Sequence, residues 1–182
     1  MIRVGAWVIL LVLLASCSNS TDEFDTFDGK PIQMEDGRAK VFMFLAPDCP
    51  LCQTYSTELV KLNDYFKAEN VDFYGVMPGK NYTREEVTHF IDSFQFKLPL
   101  LMDQDYKLTN TFEAKVTPEF FLVDSNQQVL YRGLMDDWAI DLARKRVKPS
   151  RYYLQNAIEA YLSGDKVEIA ETEAVGCVLE ND

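Results

Sequence analysis

Two cysteines separated by two residues are the part of the sequence best suited to chemistry. Cys49 and Cys52 lie in the stretch FLAPDCPLCQTY, between a hydrophobic segment and a segment with helical periodicity. Such a pair can cycle between dithiol and disulfide, supply half of a metal site, or form a short structural disulfide. The first chemistry requires that the local structure favour the thiolate of one cysteine, because the thiolate is the nucleophile.

The segments on either side of the pair predict how it is positioned. Residues 39–46 form a continuous apolar run, typical of a strand buried on both faces. Apolar residues then recur at steps of three and four, which predicts an amphipathic helix over 50–69. Pro50 suits the first turn of this helix, so Cys49 is expected at its N-cap, where free N–H groups and the helix dipole stabilise a thiolate. Cys52 is then one turn deeper on the same face.

The remaining periodicity predicts an α/β domain. A second buried strand is predicted at 71–78, followed by a helix from 83 that opens with a Thr-x-x-Glu capping box. A short helix at 105–112, a hairpin at 120–133 and a closing helix at 150–164 follow. Gly164 is placed to end the closing helix. This order of elements indicates a mixed central β-sheet flanked by helices.

Together with Val116-Thr117-Pro118 just before the hairpin, this order resembles the thioredoxin fold. More narrowly, it is similar to bacterial redoxin-type proteins, the thioredoxin and peroxiredoxin-like group, over roughly residues 30–164. The resemblance implies that Pro118 is a cis-proline facing the cysteine pair. It also implies that the backbone of Thr117 pairs with an incoming peptide, so both residues are predicted to bind substrate.

Thiol–disulfide exchange is the chemistry that this arrangement favours. Cys49 is predicted to attack a client disulfide, and Cys52 to resolve the mixed disulfide from a more buried position. Asp48 acts against this, because a negative charge beside Cys49 raises the pKa of its thiol, and thioredoxins usually carry Trp there. The sequence therefore predicts a thiol–disulfide oxidoreductase that needs no cofactor and no metal.

Two other uses of the cysteine pair are weaker. Cys49, Cys52, Cys177 and His89 are numerically sufficient for a four-ligand zinc site, but the helical position of His89 points it away from the packed face. A purely structural disulfide would close so short a loop that it would stabilise the protein little. A non-catalytic binding module with a thioredoxin fold remains an alternative.

A thiol peroxidase is the main alternative activity. Peroxiredoxins resemble this chain in fold, but their attacking cysteine follows a Thr or Ser three residues earlier and a Pro seven residues earlier. The corresponding positions here are Ala46 and Phe42. Arg132 on the predicted hairpin is the remaining group that could hold a peroxide oxygen. We therefore rank peroxidase second.

Residues 165–182 form an extension beyond the predicted domain, and Gly176-Cys177 is its distinctive feature. Redoxin-like proteins of this group carry a similar Gly-Cys near their C-terminus. Cys177 is a candidate third redox thiol able to reach Cys49 or Cys52. Alternatively, it is a structural cysteine packed inward from a short edge strand, which the sequence slightly favours.

The N-terminus predicts export and a lipid anchor. Residues 1–16 carry one positive charge and an apolar run shorter than the roughly 20 residues of a spanning helix, as in a secretory signal peptide. The following LASC, ending at Cys17, resembles the lipobox of bacterial lipoproteins, which implies that Cys17 is acylated. Residues 17–28 are polar and acidic and are predicted to be a tether, with the thioredoxin-like domain at 29–164.

Charge and export define the expected partners. The formal net charge of −11 excludes nucleic acid, whose binding depends on neutralising phosphates. The basic run at 144–148 is interpreted as a solvated helix face. The expected partners are exported cysteine-containing client proteins and a membrane electron donor or acceptor. The expected location is the periplasmic face of the cell envelope, and Ser18 after the cysteine favours the outer membrane over the inner.

The lipid anchor predicts a specific mass for the mature protein. In the membrane fraction, intact-mass measurement should show the loss of residues 1–16 and the addition of lipid at Cys17. Cys17→Ser should remain unprocessed and unlipidated. A soluble wild-type species that retains Met1 would contradict the prediction.

Overall fold

The computed structural model describes residues 23–34 and 36–179. The strands in this part of the chain are β1 (Glu23–Asp25), β2 (Pro31–Gln33), β3 (Ala39–Phe44), β4 (Val71–Pro78), β5 (Leu100–Asp103), β6 (Val116–Thr117), β7 (Glu119–Val123), β8 (Val129–Gly133) and β9 (Cys177–Val178). The helices are α1 (Pro50–Phe66), α2 (Arg84–Ser93), α3 (Lys107–Phe112) and α4 (Tyr153–Ser163). The predicted signal peptide and Cys17 lie outside the described residues. Within them, no helix has the length and apolar character needed to cross a membrane.

A five-stranded mixed sheet, in the order β5-β4-β3-β7-β8, forms the centre of the fold. The strands β3, β4 and β5 run parallel, and β7 and β8 form an antiparallel hairpin that pairs with β3. Every residue of β3 is buried, as its continuous apolar sequence predicts. The predicted α/β class with a mixed sheet flanked by helices is confirmed.

Alternate side chains of β3 contribute to two hydrophobic cores, because neighbouring residues of a strand point to opposite faces. Val41 and Met43 belong to the core that contains the buried faces of α1, α2 and α4. Phe42 and Phe44 belong to the core that contains α3 and the hairpin β1-β2. The helix that carries the cysteine pair is therefore fixed against a sheet that is covered on both faces.

The starts of α1 and α2 have local causes, whereas the start of α4 depends on a more distant residue. The prediction of Pro50 in the first turn of α1 is confirmed, and so is the capping box of α2, in which Thr83 and Glu86 bond reciprocally. Helix α4 begins later than the predicted residue 150. The reason is that the backbone N–H of Ser150 donates to the Asp137 carboxylate at 2.6 Å, which holds this part of the chain outside the helix.

The predicted tether at 17–28 is wrong for residues 23–28. This segment forms the strand β1 and the turn of the β1-β2 hairpin, and Thr26 is buried. The backbone N–H of Phe27 donates to Leu100 O at 2.7 Å, and Phe24 packs on the second core. Aromatic side chains and backbone hydrogen bonds thus overcome the acidic composition of the segment, and residues 23–28 belong to the folded domain.

The basic run at 144–148 is exposed, as predicted, but it is not on a helix. Its chain is held in an irregular conformation by the bridge between Ala139 and Lys145 and by the hydrogen bond from Arg146 N to Trp138 O at 2.8 Å. The Nζ of Lys145 lies 4.9 Å from the ring centre of Trp138.

The C-terminal extension folds back across the end of the β7-β8 hairpin. Arg132 exchanges two backbone hydrogen bonds with it, one to Ala170 O and one from Thr172 N, both at 3.0 Å. The hydroxyl of Thr172 accepts from Leu134 N at 2.8 Å and lies 2.8 Å from the Tyr131 hydroxyl. The extension then reaches β6, with which β9 pairs antiparallel.

Thr172 is therefore predicted to anchor the extension. Thr172→Val should lower the free energy of unfolding by about 1 kcal/mol, because the partly buried N–H of Leu134 loses its acceptor. Thr172→Ser is the matched control, since it keeps the hydroxyl, and it should remain closer to wild type. Urea denaturation measures both variants. A valine variant as stable as wild type would contradict the assigned role.

Candidate active site

The N-terminus of α1 positions the cysteine pair. Cys49 is the N-cap residue, with φ −80° and ψ 116°, and Pro50 occupies the first turn. The backbone carbonyl of Cys49 accepts the first helical hydrogen bond, from Gln53 N at 3.1 Å. The helix thus begins where the sequence predicts, and Cys49 stands at the end of the helix that carries the unpaired N–H groups.

Three groups contact the sulfur of Cys49. Its Sγ lies 3.1 Å from the carbonyl oxygen of Thr117 and 3.1 Å from the Sγ of Cys177. The thiol of Cys52 is also within hydrogen-bonding reach of it. Cys49 is 1% exposed, and the three cysteines in the described part of the chain, Cys49, Cys52 and Cys177, are free thiols.

These surroundings favour the thiolate of Cys49. Its pKa is lowered to about 5, chiefly by the hydrogen bond from the Cys52 thiol, and burial opposes the shift. Hydrogen bonds from the backbone of Cys52, from the Cys177 thiol and from the backbone of Leu51 contribute further. The charge of Asp48, expected to raise this pKa, does not reverse the net lowering.

The second cysteine of the pair has the opposite character. Cys52 is fully buried, and burial is the main reason that its pKa is raised well above the ordinary value for a thiol. The backbone N–H of Ala46 donates to its Sγ at 3.5 Å. One sulfur is therefore poised as an anion and its neighbour as a proton donor, a division that suits a two-step exchange.

The strand β6 lies directly across from the helix N-terminus. The Thr117–Pro118 peptide bond is cis, which confirms that part of the prediction, and Thr117 is buried. In the antiparallel pairing of β6 with β9, Cys177 is the register partner of Thr117. The edge on which an incoming peptide was expected is thus paired with the chain's own C-terminal strand.

Cys177 lies on the short strand β9 and packs against the core that contains α1, so its structural role stays a prediction beside the redox one. Its side chain is partly exposed and directed at Cys49. Burial, followed by the neighbouring Cys49, raises the pKa of its thiol to about 11. The geometric condition for a third redox thiol, a short distance to one member of the pair, is met.

The family assignment of the chain rests on one match to a family model. Residues 19–143, more than half of the chain, match the Redoxin family model. The chain belongs to the Redoxin family. A search of curated proteins found no significant match.

Solved structures show that this redoxin has a thioredoxin-like fold. An uncharacterized conserved protein from Geobacillus kaustophilus is similar with a TM-score of 0.74 and 22% identity over 88% of each chain. A hypothetical protein from Sinorhizobium meliloti has a TM-score of 0.72 and 21% identity, over 86% of this chain and 88% of that one. A secreted disulfide oxidoreductase from Mycobacterium tuberculosis has a TM-score of 0.54 and 15% identity, over 79% and 96% of the two chains.

Arg132 and His89, the non-cysteine residues considered for other chemistries, make their hydrogen bonds to groups other than Cys49. The guanidinium of Arg132 donates to the Glu119 carboxylate and to the Glu113 carbonyl, each at 3.1 Å, and lies over the ring of Phe121. His89 is exposed on α2. Within residues 23–34 and 36–179, no group of three or more His, Cys, Asp or Glu side chains is arranged to hold a metal ion.

One buried pair near the site of this redoxin was not predicted. The hydroxyl of Tyr55 donates to Asp136 at 2.7 Å, and burial raises the pKa of Asp136. Trp138 N also donates to this carboxylate, at 2.9 Å. The pair joins α1, one turn beyond Cys52, to the segment after the hairpin. No sequence pattern indicates this pair, because Tyr55 fits the apolar stripe of the helix and Asp136 is 81 residues away.

The pKa values predict selective alkylation of the reduced protein. Labelling of Cys49 by iodoacetamide should rise as pH increases through about 5, because the thiolate fraction increases, whereas Cys52 should stay unlabelled at neutral pH. Peptide mass spectrometry locates the label. Cys52→Ala should shift the Cys49 midpoint upward, because it removes the main hydrogen-bond donor to the thiolate. A wild-type midpoint near about 8.5, the ordinary thiol value, would contradict the assignment.

Proposed function

We propose that this redoxin is a thiol–disulfide oxidoreductase that uses Cys49 as its nucleophile and Cys52 as its resolving thiol. The observation that carries the proposal is the opposite shift of the two thiols at the start of α1. Cys49 has a pKa lowered to about 5, and buried Cys52 has one raised well above the ordinary value. A structural disulfide requires no such difference, whereas exchange requires one thiolate at neutral pH and a second thiol held in reserve.

The proposed reaction proceeds through a mixed disulfide. The Cys49 thiolate attacks one sulfur of a client disulfide, the client bond breaks, and the departing client thiolate takes a proton. Cys52 then loses its proton and attacks the Cys49 sulfur, which releases the second client thiolate. The client gains two electrons, and the protein is left with a Cys49–Cys52 disulfide. The same steps in reverse transfer a disulfide to a dithiol client.

Client binding is proposed to use the backbone of Thr117 beside Pro118. An extended peptide adds to a strand edge through main-chain hydrogen bonds, which give affinity without sequence preference. The pairing of β6 with β9 supports this role, because it demonstrates that the backbone of Thr117 accepts an antiparallel strand opposite the Cys49 sulfur. A client in that register would present its cysteine to Cys49.

The proposed location is the periplasmic face of the cell envelope, with a lipid on Cys17 and the outer membrane favoured. The LASC motif, whose cysteine would be the first residue of the mature chain, supports the anchor. The secreted disulfide oxidoreductase of similar fold supports an exported site of action. Exported proteins are also where client disulfides form and persist. The proposed partners are such clients and a membrane electron donor or acceptor that restores the reacting form.

Variants that replace one cysteine of the pair at a time test the catalytic roles. In envelope extracts, Cys52→Ala should accumulate mixed disulfides with clients on non-reducing gels, because the first step occurs and the second cannot. Cys49→Ala should trap almost none, and with insulin as a model disulfide its exchange should fall to the uncatalysed rate. Equal trapping by the two variants would overturn the assignment.

Peroxide consumption distinguishes the alternative activity. Hydrogen peroxide should be reduced slowly, because Ala46 provides no hydroxyl and Arg132 is bound to Glu119. Rapid Cys49-dependent peroxide loss, combined with inactivity towards insulin, would replace the proposal with a thiol peroxidase.

A further inference from the structure

The C-terminal strand lies where a client would bind. We call residues 171–179 the tail. Its Cys177 is opposite Thr117, and its Val178 is opposite Val116. The backbone N–H of Leu179 adds a hydrogen bond to Lys115 O at 2.9 Å. An incoming peptide would need these same backbone groups of β6, so the tail and a client exclude each other.

The sulfur of Cys177 is aimed at the nucleophile. Its distance to the Cys49 sulfur is 3.1 Å, and a disulfide bond is about 2.05 Å long, so closure requires a movement of only about 1 Å. Cys177 is partly exposed and lies on a strand of only two residues, so rotation of its side chain and a small shift of the strand supply a movement of this size. The contact joins residues 128 positions apart and therefore depends on the whole path of the extension.

Gly176 is what allows the tail to approach so closely. A Cβ at this position would lie 2.2 Å from the carbonyl oxygen of Thr117 and 2.6 Å from its carbonyl carbon. Both are backbone atoms, which cannot rotate away as a flexible side chain can. A residue other than glycine would therefore push the tail off β6 and withdraw Cys177 from Cys49.

We propose that Cys177 is a third redox thiol that forms a disulfide with Cys49, and that this bond locks the tail over the client-binding edge. The Cys177 thiolate attacks the Cys49 sulfur of the Cys49–Cys52 disulfide. The bond between Cys49 and Cys177 forms, the bond between Cys49 and Cys52 breaks, and Cys52 takes up the proton that Cys177 lost. This exchange needs no external oxidant, because the number of disulfides is unchanged.

The consequence is a protein with two oxidised forms. In the first, Cys49–Cys52, the tail is held only by noncovalent contacts, among them its hydrogen bonds to β6 and the packing of Val175 and Leu179 against the cores, and a client can displace it. In the second, Cys49–Cys177, the tail is covalently held and the edge of β6 is closed until a reductant opens the bond. The Cys49–Cys177 disulfide is inferred from the geometry of the three cysteines alone. The inference that the locked tail excludes clients rests on the proposed function.

Tryptic mapping without reductant identifies the bond. Cleavage after Lys40, Lys61 and Lys166 places Cys49 and Cys52 together in peptide 41–61 and Cys177 in peptide 167–182. Cys17 is in a separate peptide that ends at Arg38, because trypsin does not cleave the Lys30–Pro31 bond. After oxidation of the full chain with glutathione disulfide, monomeric protein should yield peptides 41–61 and 167–182 joined. The joined species should increase in Cys52→Ser, where the competing bond cannot form, and be absent in Cys177→Ser. Wild type and Cys52→Ser that both leave Cys177 alkylatable and unlinked would overturn the proposal.

A substitution that leaves every cysteine in place tests whether the tail covers the client-binding edge of β6. Gly176→Val should abolish the joined peptides and raise the rate of insulin reduction several-fold, because the edge of β6 is uncovered. Val178→Ala is the matched control, since Val178 is 76% exposed on the same strand, and it should behave as wild type. Loss of the joined peptides without a faster insulin reaction would overturn the cover role. Joined peptides in a protein that never reacts with insulin would instead refute the proposed function and leave the Cys177 disulfide standing.

Discussion

The contact between the N-terminus of α1 and the backbone of β6 is the constraint on which the site depends. The sulfur of Cys49 and the carbonyl of Thr117 meet at 3.1 Å although they are 68 residues apart in sequence. The helix is fixed because its apolar face is buried against the central sheet, and β6 is fixed because it leads directly into β7, a central strand of that sheet. Neither element moves without disturbing the core, so the nucleophile and the client-binding edge are held together by the fold itself.

The three sulfurs differ in character because the fold gives each a different environment. Cys49 has helical N–H groups and two thiol donors around it, so its anion is stabilised. Cys52 is behind it in the core, and Cys177 is in front of it at the surface, and both retain their protons. A stabilised thiolate also stabilises the reduced state of a dithiol relative to its disulfide. The same hydrogen bonds that make Cys49 reactive are therefore expected to make the pair oxidising.

The sequence predicted the features that have local causes. A buried strand, a proline in the first helical turn and a Thr-x-x-Glu capping box each carry their signal within a few residues, and all three occur where expected. The order of these elements predicted the mixed sheet. The position of Pro118 facing the cysteine pair was predicted from the family resemblance.

The features that the sequence did not predict arise from distant partners. The segment 23–28 looks too acidic to fold until the backbone of Leu100 and the second core are available to it. The late start of α4 depends on Asp137, and the buried Tyr55–Asp136 pair joins residues that have no pattern in common. The position of Cys177 required the path of the whole extension and the register of β9 against β6, so the sequence left two interpretations of that cysteine open.

The reduction potential of the Cys49–Cys52 pair, measured in Cys177→Ser by equilibration with glutathione buffers, tests the central claim most directly. A catalytic pair with a stabilised thiolate should equilibrate between about −270 and about −120 mV, the range of thioredoxin-fold oxidoreductases, and towards its oxidising end. A potential below about −300 mV, as in structural disulfides of secreted proteins, would contradict the account.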